Sequence, residues 1–285
     1  MEKLRNLDEY KELLSSYRQI YLSGYNNNYL STDMVNRYID LGRIYFEANA
    51  KSLLFFTNEE TYYRLYLLSG KELEIDVKRQ DKPIMLRNIY RKGKKTDALL
   101  KLERELEKQG FSLDDETAQI LARPMEDKET VRLKYDRAAS YLNRLGIKIG
   151  YAKEKDISQI LDLRNHEQLL KDYYFFYQTE EEILEDIRNG YYRCAFNHLG
   201  HVCAAQNYSI KNGAVQGCWL AVKDEYKVRY GIGSAMAYHS FLYAIDKGIS
   251  YYYGWVARDN SKSVKYHQSI GYEICDKWAD EWLLQ

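Results

Sequence analysis

The sequence predicts an α+β chain in which one arrangement of elements is written twice. Capped helical segments alternate with short runs of β-branched and aromatic residues, the pattern of sheets flanked by helices. The order in the first half, ααβββαβα, parallels a β-α-α-β-β-β-α-β-α-β order in the second. The residue types most capable of chemistry also gather late. All five histidines (His166, His198, His201, His239, His267), all four tryptophans and all four cysteines lie beyond residue 165. This composition shift places a domain boundary at Leu145–Gly146, giving domains 1–145 and 146–285.

Composition excludes several classes. At 285 residues, 45% hydrophobic and 29% charged, the chain can bury a core in each half and does not read as disordered. Forty-two basic residues balance 42 acidic ones, which argues against nucleic acid as a partner. No apolar run approaches the roughly 20 residues that cross a bilayer. Met1 to Tyr10 lacks a signal-peptide apolar stretch, so a soluble cytoplasmic protein with no membrane partner is expected. Cys194, Cys203, Cys218 and Cys275 show no C-x-x-C spacing; they are read as reduced thiols, with no metal site.

The second half is justified element by element. Ile147 to Ala152 alternates as a short strand, and Asp156 opens a helical pattern through Ile157, Ile160, Leu161 and Leu163. Thr179 and Glu182 form a capping box that starts a helix over Glu180–Arg188, closed by Gly190. Tyr191–Asn197, His201–Ile210 and Ala214–Val222 read as strands joined by tight turns. Gly231-Ile232-Gly233-Ser234-Ala235 then leads into a helix with a stripe at Ile232, Met236, His239, Leu242 and Ile245, ending at Gly248. Ser250–Val256 is a strand, Asn260 caps a helix over Ser261–Ile270, and Tyr272–Leu284 reads as one or two final strands.

Gly231-Ile232-Gly233 carries the chemistry. Glycines at a helix start let an anionic ligand approach, and the unpaired first-turn N–H groups and the helix dipole favour a phosphate. The segment is neither a G-x-G-x-x-G dinucleotide fingerprint nor a Walker loop. With Glu225-Tyr226, Gly254-Trp255-Val256, Asp259-Asn260 and Ile270-Gly271-Tyr272 around it, it resembles the GNAT superfamily of acyl-CoA-dependent N-acyltransferases from about Ile147 onward. One departure is Val228, which stands where such proteins carry Arg or Gln three residues before the first glycine.

The resemblance implies a mixed, mostly antiparallel sheet flanked by helices, duplicated in tandem, and an N-acetyltransferase with acetyl-CoA as co-substrate. Leu220, Ala221 and Val222 would form the splayed strand edge that pairs with pantetheine. The amides of Arg229, Tyr230, Gly231, Ile232, Gly233 and Ser234 would hold the pyrophosphate, and Asn260 would lie near the pantetheine arm. The acceptor would be a primary amine of a small molecule or amino acid derivative, attacking the thioester directly. The superfamily often places a tyrosine on the last helix as general acid, and the matching position here is His267, with Tyr266 one residue earlier. His267 also shares a face with Val264 and Ile270, so a packed core histidine and a role for neither residue stay open. His239 reads as core. No base is visible, because Ala214–Val222 carries no carboxylate.

In the first half, Asp8–Tyr21, Thr32–Leu41, Thr96–Gln109 and Glu129–Leu145 read as helices. Arg43–Thr57, Tyr62–Leu68, Lys82–Arg91 and Glu116–Ala122 read as strands. The equivalent of the coenzyme loop is taken as Arg91-Lys92-Gly93-Lys94-Lys95-Thr96, which lacks Gly-x-Gly, so the first domain reads as degenerate. The basic run Lys78–Lys95 reads as a solvated strand edge and turn. Rival readings are a non-catalytic acyl-CoA-binding regulator and an aminoacyl-tRNA-dependent transferase on the same doubled fold. A homodimer is compatible with all of them.

Overall fold

The computed structural model describes the chain except residues 23, 60, 72–75, 123–127, 167–177, 212, 228–230 and 250. The first elements are β1 (Glu2–Lys3), α1 (Leu7–Ser16), α2 (Arg18–Leu22), β2 (Tyr25–Asn26), α3 (Thr32–Asp40), β3 (Ile44–Ala48), β4 (Ser52–Asn58), β5 (Tyr63–Ser69), β6 (Ile84–Arg91) and α4 (Asp97–Lys108). There follow β7 (Ser112–Ala122), α5 (Lys128–Arg144), β8 (Lys148–Tyr151), α6 (Ile157–His166), α7 (Glu180–Arg188), β9 (Tyr192–Phe196) and β10 (Val202–Lys211). The last are β11 (Ala214–Val222), α8 (Ile232–Asp246), β12 (Tyr251–Ala257), α9 (Ser261–Ser269) and β13 (Glu273–Leu284).

Two compact units result, Met1–Ala118 with Asp276–Gln285, and Gln119–Cys275. They do not divide at Leu145–Gly146. Helix α5 packs on α8 in the second unit, with Leu142 beside Ile232 and Met236, while the last ten residues complete the first.

The first unit is a mixed sheet in the order β1-β3-β4-β5-β6-β13. β4 and β5 are apolar on both faces because both are covered, and side chains alternate between them. Leu54, Phe56, Leu65 and Leu67 face α4, whose Leu99, Leu102 and Leu106 recur at helical spacing. Leu53, Phe55, Tyr66 and Leu68 face α1 and α3. Arg43–Thr57, read as one strand, is a hairpin: Asn49 Oδ1 accepts from the amides of Lys51 and Ser52 (both 2.8 Å) and turns the chain. The basic run is solvated at Lys78, Arg79, Arg91, Lys92 and Lys94, as read from sequence, but its strand is not an edge. β6 is an inner strand, Arg87 pairs with Glu281 at 3.0 Å with both side chains buried, and Lys95 bridges Glu103 and Asp280 at 2.7 Å each.

β5 and β6 run parallel only from Tyr63↔Ile84 to Leu65↔Leu86 and then part. The gap is filled from within the unit. β2 pairs with the far end of β5, Tyr25↔Ser69 and Asn26↔Leu68. Asn27 N donates to Leu67 O (3.1 Å), its Oδ1 accepts from Leu67 N (2.5 Å), and its Nδ2 donates to Arg87 O on β6 (3.2 Å). Tyr25 also donates its hydroxyl to Asn88 Oδ1. The Arg91–Thr96 loop follows β6, the second strand of the parallel pair, whereas the glycine loop of the second unit follows β11, the first strand of its pair, so the two loops are not equivalent in position.

The second unit is a sheet in the order β8-β9-β10-β11-β12, antiparallel except for β11 and β12. The Thr179–Glu182 capping box forms as expected, with both reciprocal bonds at 3.0 Å. α8 lies close to the sheet through Ala235, Ala237, Ser240 and Ala244, with Ile232, Met236 and Phe241 between them. That rotation brings His239 and Leu242 to the border of the core, where both line a surface cleft while Leu242 still packs on the core, instead of the interior stripe read from sequence. Among the described residues no helix is long and apolar enough to cross a membrane.

Candidate functional site

The site in the second unit begins with a fork between two parallel strands. β11 and β12 are in register only over Ala214↔Tyr251, Val215↔Tyr252 and Gln216↔Tyr253. Across β11 the register with β10 shifts by one residue, from Tyr208↔Gly217 to Asn207↔Trp219, so Cys218 is the extra residue of a β-bulge. A bulge bends its strand and increases local twist, which gives the fork its physical cause. Gly217 and Gly254 sit at its root, where a Cβ on Gly254 would lie 3.5 Å from Gly217 O. Sequence reading passed over the bulge; Gly217 inside a strand pattern was the available signal.

Beyond the fork Leu220, Ala221 and Val222 stay paired with Gln206, Ala205 and Ala204 of β10, leaving their other edge facing the gap. Gly231 is the N-cap of α8 with φ +63°, a left-handed conformation that favours glycine. Helix geometry leaves the amides of Ile232, Gly233 and Ser234 without a carbonyl four residues back in the helix. Arg229 and Tyr230, assigned from sequence to the same loop, lie outside the described residues. Asn260 caps α9, its Oδ1 accepting from Ser263 N at 3.0 Å.

The two candidate acids separate cleanly. His267 Nδ1 donates to Ser263 O at 2.7 Å, and the ring packs edge-on against Tyr272 at 5.2 Å. Burial lowers its pKa, so it is a neutral, hydrogen-bonded interior residue. Tyr266 stands differently. A Cβ on Gly233 would meet its hydroxyl at 3.1 Å and Leu220 Cδ2 at 3.3 Å, so glycine there lets Tyr266 and β11 close on the first turn of α8. The Tyr266 hydroxyl is buried and has no hydrogen-bond partner among the described residues. Burial raises its pKa, with the neighbouring Tyr252 and Tyr238 adding to the effect, which keeps it protonated at neutral pH. The ring is fixed by an aromatic chain through His267 (5.0 Å), Tyr272 and Tyr252 to Phe241.

No protein-family profile matches the chain and no curated protein does. Solved structures do. A GCN5-related glucosamine N-acetyltransferase region of a fungal multi-domain GH3 β-N-acetylglucosaminidase aligns at TM-score 0.66 and 12% identity, over 99% of this chain and 37% of that one. A GCN5-related N-acetyltransferase from Sphaerobacter thermophilus aligns at 0.55 and 9%, over 90% and 86% of the two chains. A tandem GNAT protein from the clavulanic acid biosynthesis pathway aligns at 0.51 and 10%, over 82% and 78%. The fold is that of the GNAT superfamily. Identities this low carry the fold alone. Within the GNAT fold the forked strands, the glycine-opened helix and the tyrosine on the following helix converge on one place in the second unit.

Proposed function

We propose that the chain is an N-acetyltransferase that moves an acetyl group from acetyl-CoA to a primary amine of a small molecule or amino acid derivative, using the second unit. The observation that carries this reading is the buried, unpartnered Tyr266 hydroxyl against Gly233 and Leu220 at the mouth of the fork. The residues fit the coenzyme in three ways: an open β11 edge for amide pairing, first-turn α8 amides for phosphate, and no Cβ at Gly231 or Gly233 to block approach.

In this reading Leu220 to Val222 align the thioester arm through backbone groups, and the amides of Ile232, Gly233 and Ser234 hold its pyrophosphate. Backbone N–H groups near the Cys218 bulge polarise the reacting carbonyl, an arrangement that costs no reorganisation during reaction. Tyr266, not His267, hands its proton to the departing thiolate, and the raised pKa keeps that proton available. His267 and Tyr272 position the Tyr266 ring. The attacking amine arrives neutral or loses its proton through water.

The first unit holds no second coenzyme site in this account. Its own fork is occupied by Tyr25 to Asn27, whose backbone and side-chain groups take the Leu67 amide and carbonyl that an extended ligand would use. The proposal is tested by release of free thiol from acetyl-CoA against a panel of amines. Turnover with one acceptor class supports it. Acetyl-CoA binding without turnover on any amine would favour a non-catalytic acyl-CoA sensor.

A further inference from the structure

Arg193 on β9 is fully buried, yet the described residues offer it no carboxylate. Its Nε donates to His239 Nδ1 at 2.9 Å, and Nη1 donates to Gly190 O at 2.7 Å and Tyr192 O at 3.3 Å. Nη2 has no partner. Aromatic faces surround the guanidinium: Tyr151 at 3.5 Å from its carbon, Tyr243 at 4.9 Å and Tyr208 at 5.0 Å. Such faces attract a cation without neutralising it, so the charge stays uncompensated behind them.

Tyr151, Tyr243 and His239 are also the wall of an open cleft of about 520 Å³, completed by Tyr135 and Leu242. Arg193 therefore lies directly behind the cleft floor. Because Nδ1 accepts from Arg193, the His239 proton sits on Nε2, and this N–H has no partner among the described residues. Burial and the adjacent Arg193 push the His239 pKa down to about 4, so at neutral pH it is a neutral donor. Arg132 and Lys247 stand at the rim with Asp136 and Asp246, and Asp246 is already taken by Lys128 at 2.6 Å. Two cations and two anions at the rim cancel, Arg132 as well as Lys128 acting on Asp246, so the net positive charge comes from the buried Arg193 behind the floor.

We infer that this cleft is a second ligand site, distinct from the forked-strand site, that takes a small planar carboxylate or phosphate ester. Its ring would lie among Tyr135, Tyr151 and Tyr243, and its anionic group would accept from His239 Nε2–H and pair with Arg132. His239 lies eight residues past Gly231 along α8, roughly 12 Å along the axis, so the site does not depend on how the fork is used.

The test is calorimetric titration of the intact chain at low ionic strength with benzoate, phenyl phosphate, inorganic phosphate and benzyltrimethylammonium. Benzoate and phenyl phosphate should bind at one site, inorganic phosphate several-fold more weakly, and the ammonium compound not at all. Arg132→Ala should weaken benzoate about three- to fivefold, an exposed charge pair. His239→Leu should weaken it about tenfold or more. His239→Gln, which can still accept from Arg193 and donate outward, should retain most of the affinity. Arg132 is on the exposed face of α5, so its result stands even where His239→Leu fails to fold. Benzoate silent at tens of millimolar, affinity unchanged in Arg132→Ala, or the ammonium probe binding more tightly than benzoate would each overturn the inference. Inorganic phosphate matching benzoate would overturn the aromatic half of it.

Discussion

Tyr266→Phe should make the unliganded protein more stable and the enzyme much slower. The hydroxyl is buried with no partner among the described residues, and an unsatisfied buried polar group costs about 1–3 kcal/mol. Phenylalanine keeps the ring that packs on His267 at 5.0 Å and removes that penalty. At roughly 2–4 °C per kcal/mol for a chain of this size, Tm should rise by a few degrees. Turnover should fall by about 10²–10⁴, the usual contribution of a positioned acid. Thermal unfolding and thiol release on the same preparations read both numbers. His267→Ala is the control. It removes packing and the bond to Ser263 O, so it should lose stability and reduce turnover less than Tyr266→Phe does. A Tyr266→Phe protein with lowered Tm would mean that the hydroxyl has a partner, and unchanged turnover would remove Tyr266 from the mechanism. Either result refutes the reasoning.

Other consequences are equally checkable. Gly233→Ala would place a Cβ 3.1 Å from the Tyr266 hydroxyl and 3.2 Å from its ring; we expect that strain to cancel the roughly 1 kcal/mol helix-propensity gain and to weaken coenzyme binding. A Tm increase with unchanged binding would contradict this. Asn27→Ala leaves the Leu67 amide unpaired inside the first unit and should cost about 1–3 kcal/mol in urea unfolding, with acetyl-CoA binding in the second unit unaltered. Acid sensitivity follows from His239. Its folded pKa of about 4 lies below the unfolded value of 6.5, so the unfolded chain takes the proton first and stability falls as pH drops through that window. The loss is at most about 3 kcal/mol, absent above pH 6.5 and in His239→Gln; a flat profile between the two pKa values would contradict it.

The second unit was legible from sequence because its elements are punctuated by local chemistry. Thr179 and Asn260 cap the helices where the pattern put them, and Gly190, Gly248 and Gly271 close helices with positive φ. The glycine loop pointed to the forked strands: Gly231 takes the left-handed conformation at the helix start, and Gly233 lets Tyr266 and Leu220 approach. What stayed hidden depends on distant pairing. β2 is two residues long and exists only because β5 has an open edge to receive it. The last ten residues carry no mark saying that they pair with β6 of the first unit. The count from Asn260 favoured His267 over Tyr266, and what distinguishes them is tertiary: the His267 bond to Ser263 O and the close approach of Gly233 to the Tyr266 hydroxyl. Arg193 stands within the strand Tyr191–Asn197 with nothing in the local sequence to mark it, because the tyrosines that enclose it come from three other elements.

The central claim is that the fork and the first turn of α8 hold acetyl-CoA. The most direct measurement is thermal unfolding with and without acetyl-CoA, on the wild type and on Gly233→Glu, whose carboxylate would occupy the phosphate position beside Tyr266. At about 100-fold over the dissociation constant, binding adds roughly 2.7 kcal/mol. The account predicts a Tm rise of several degrees in the wild type, lost in Gly233→Glu. No shift in the wild type, or the same shift in both proteins, would contradict it.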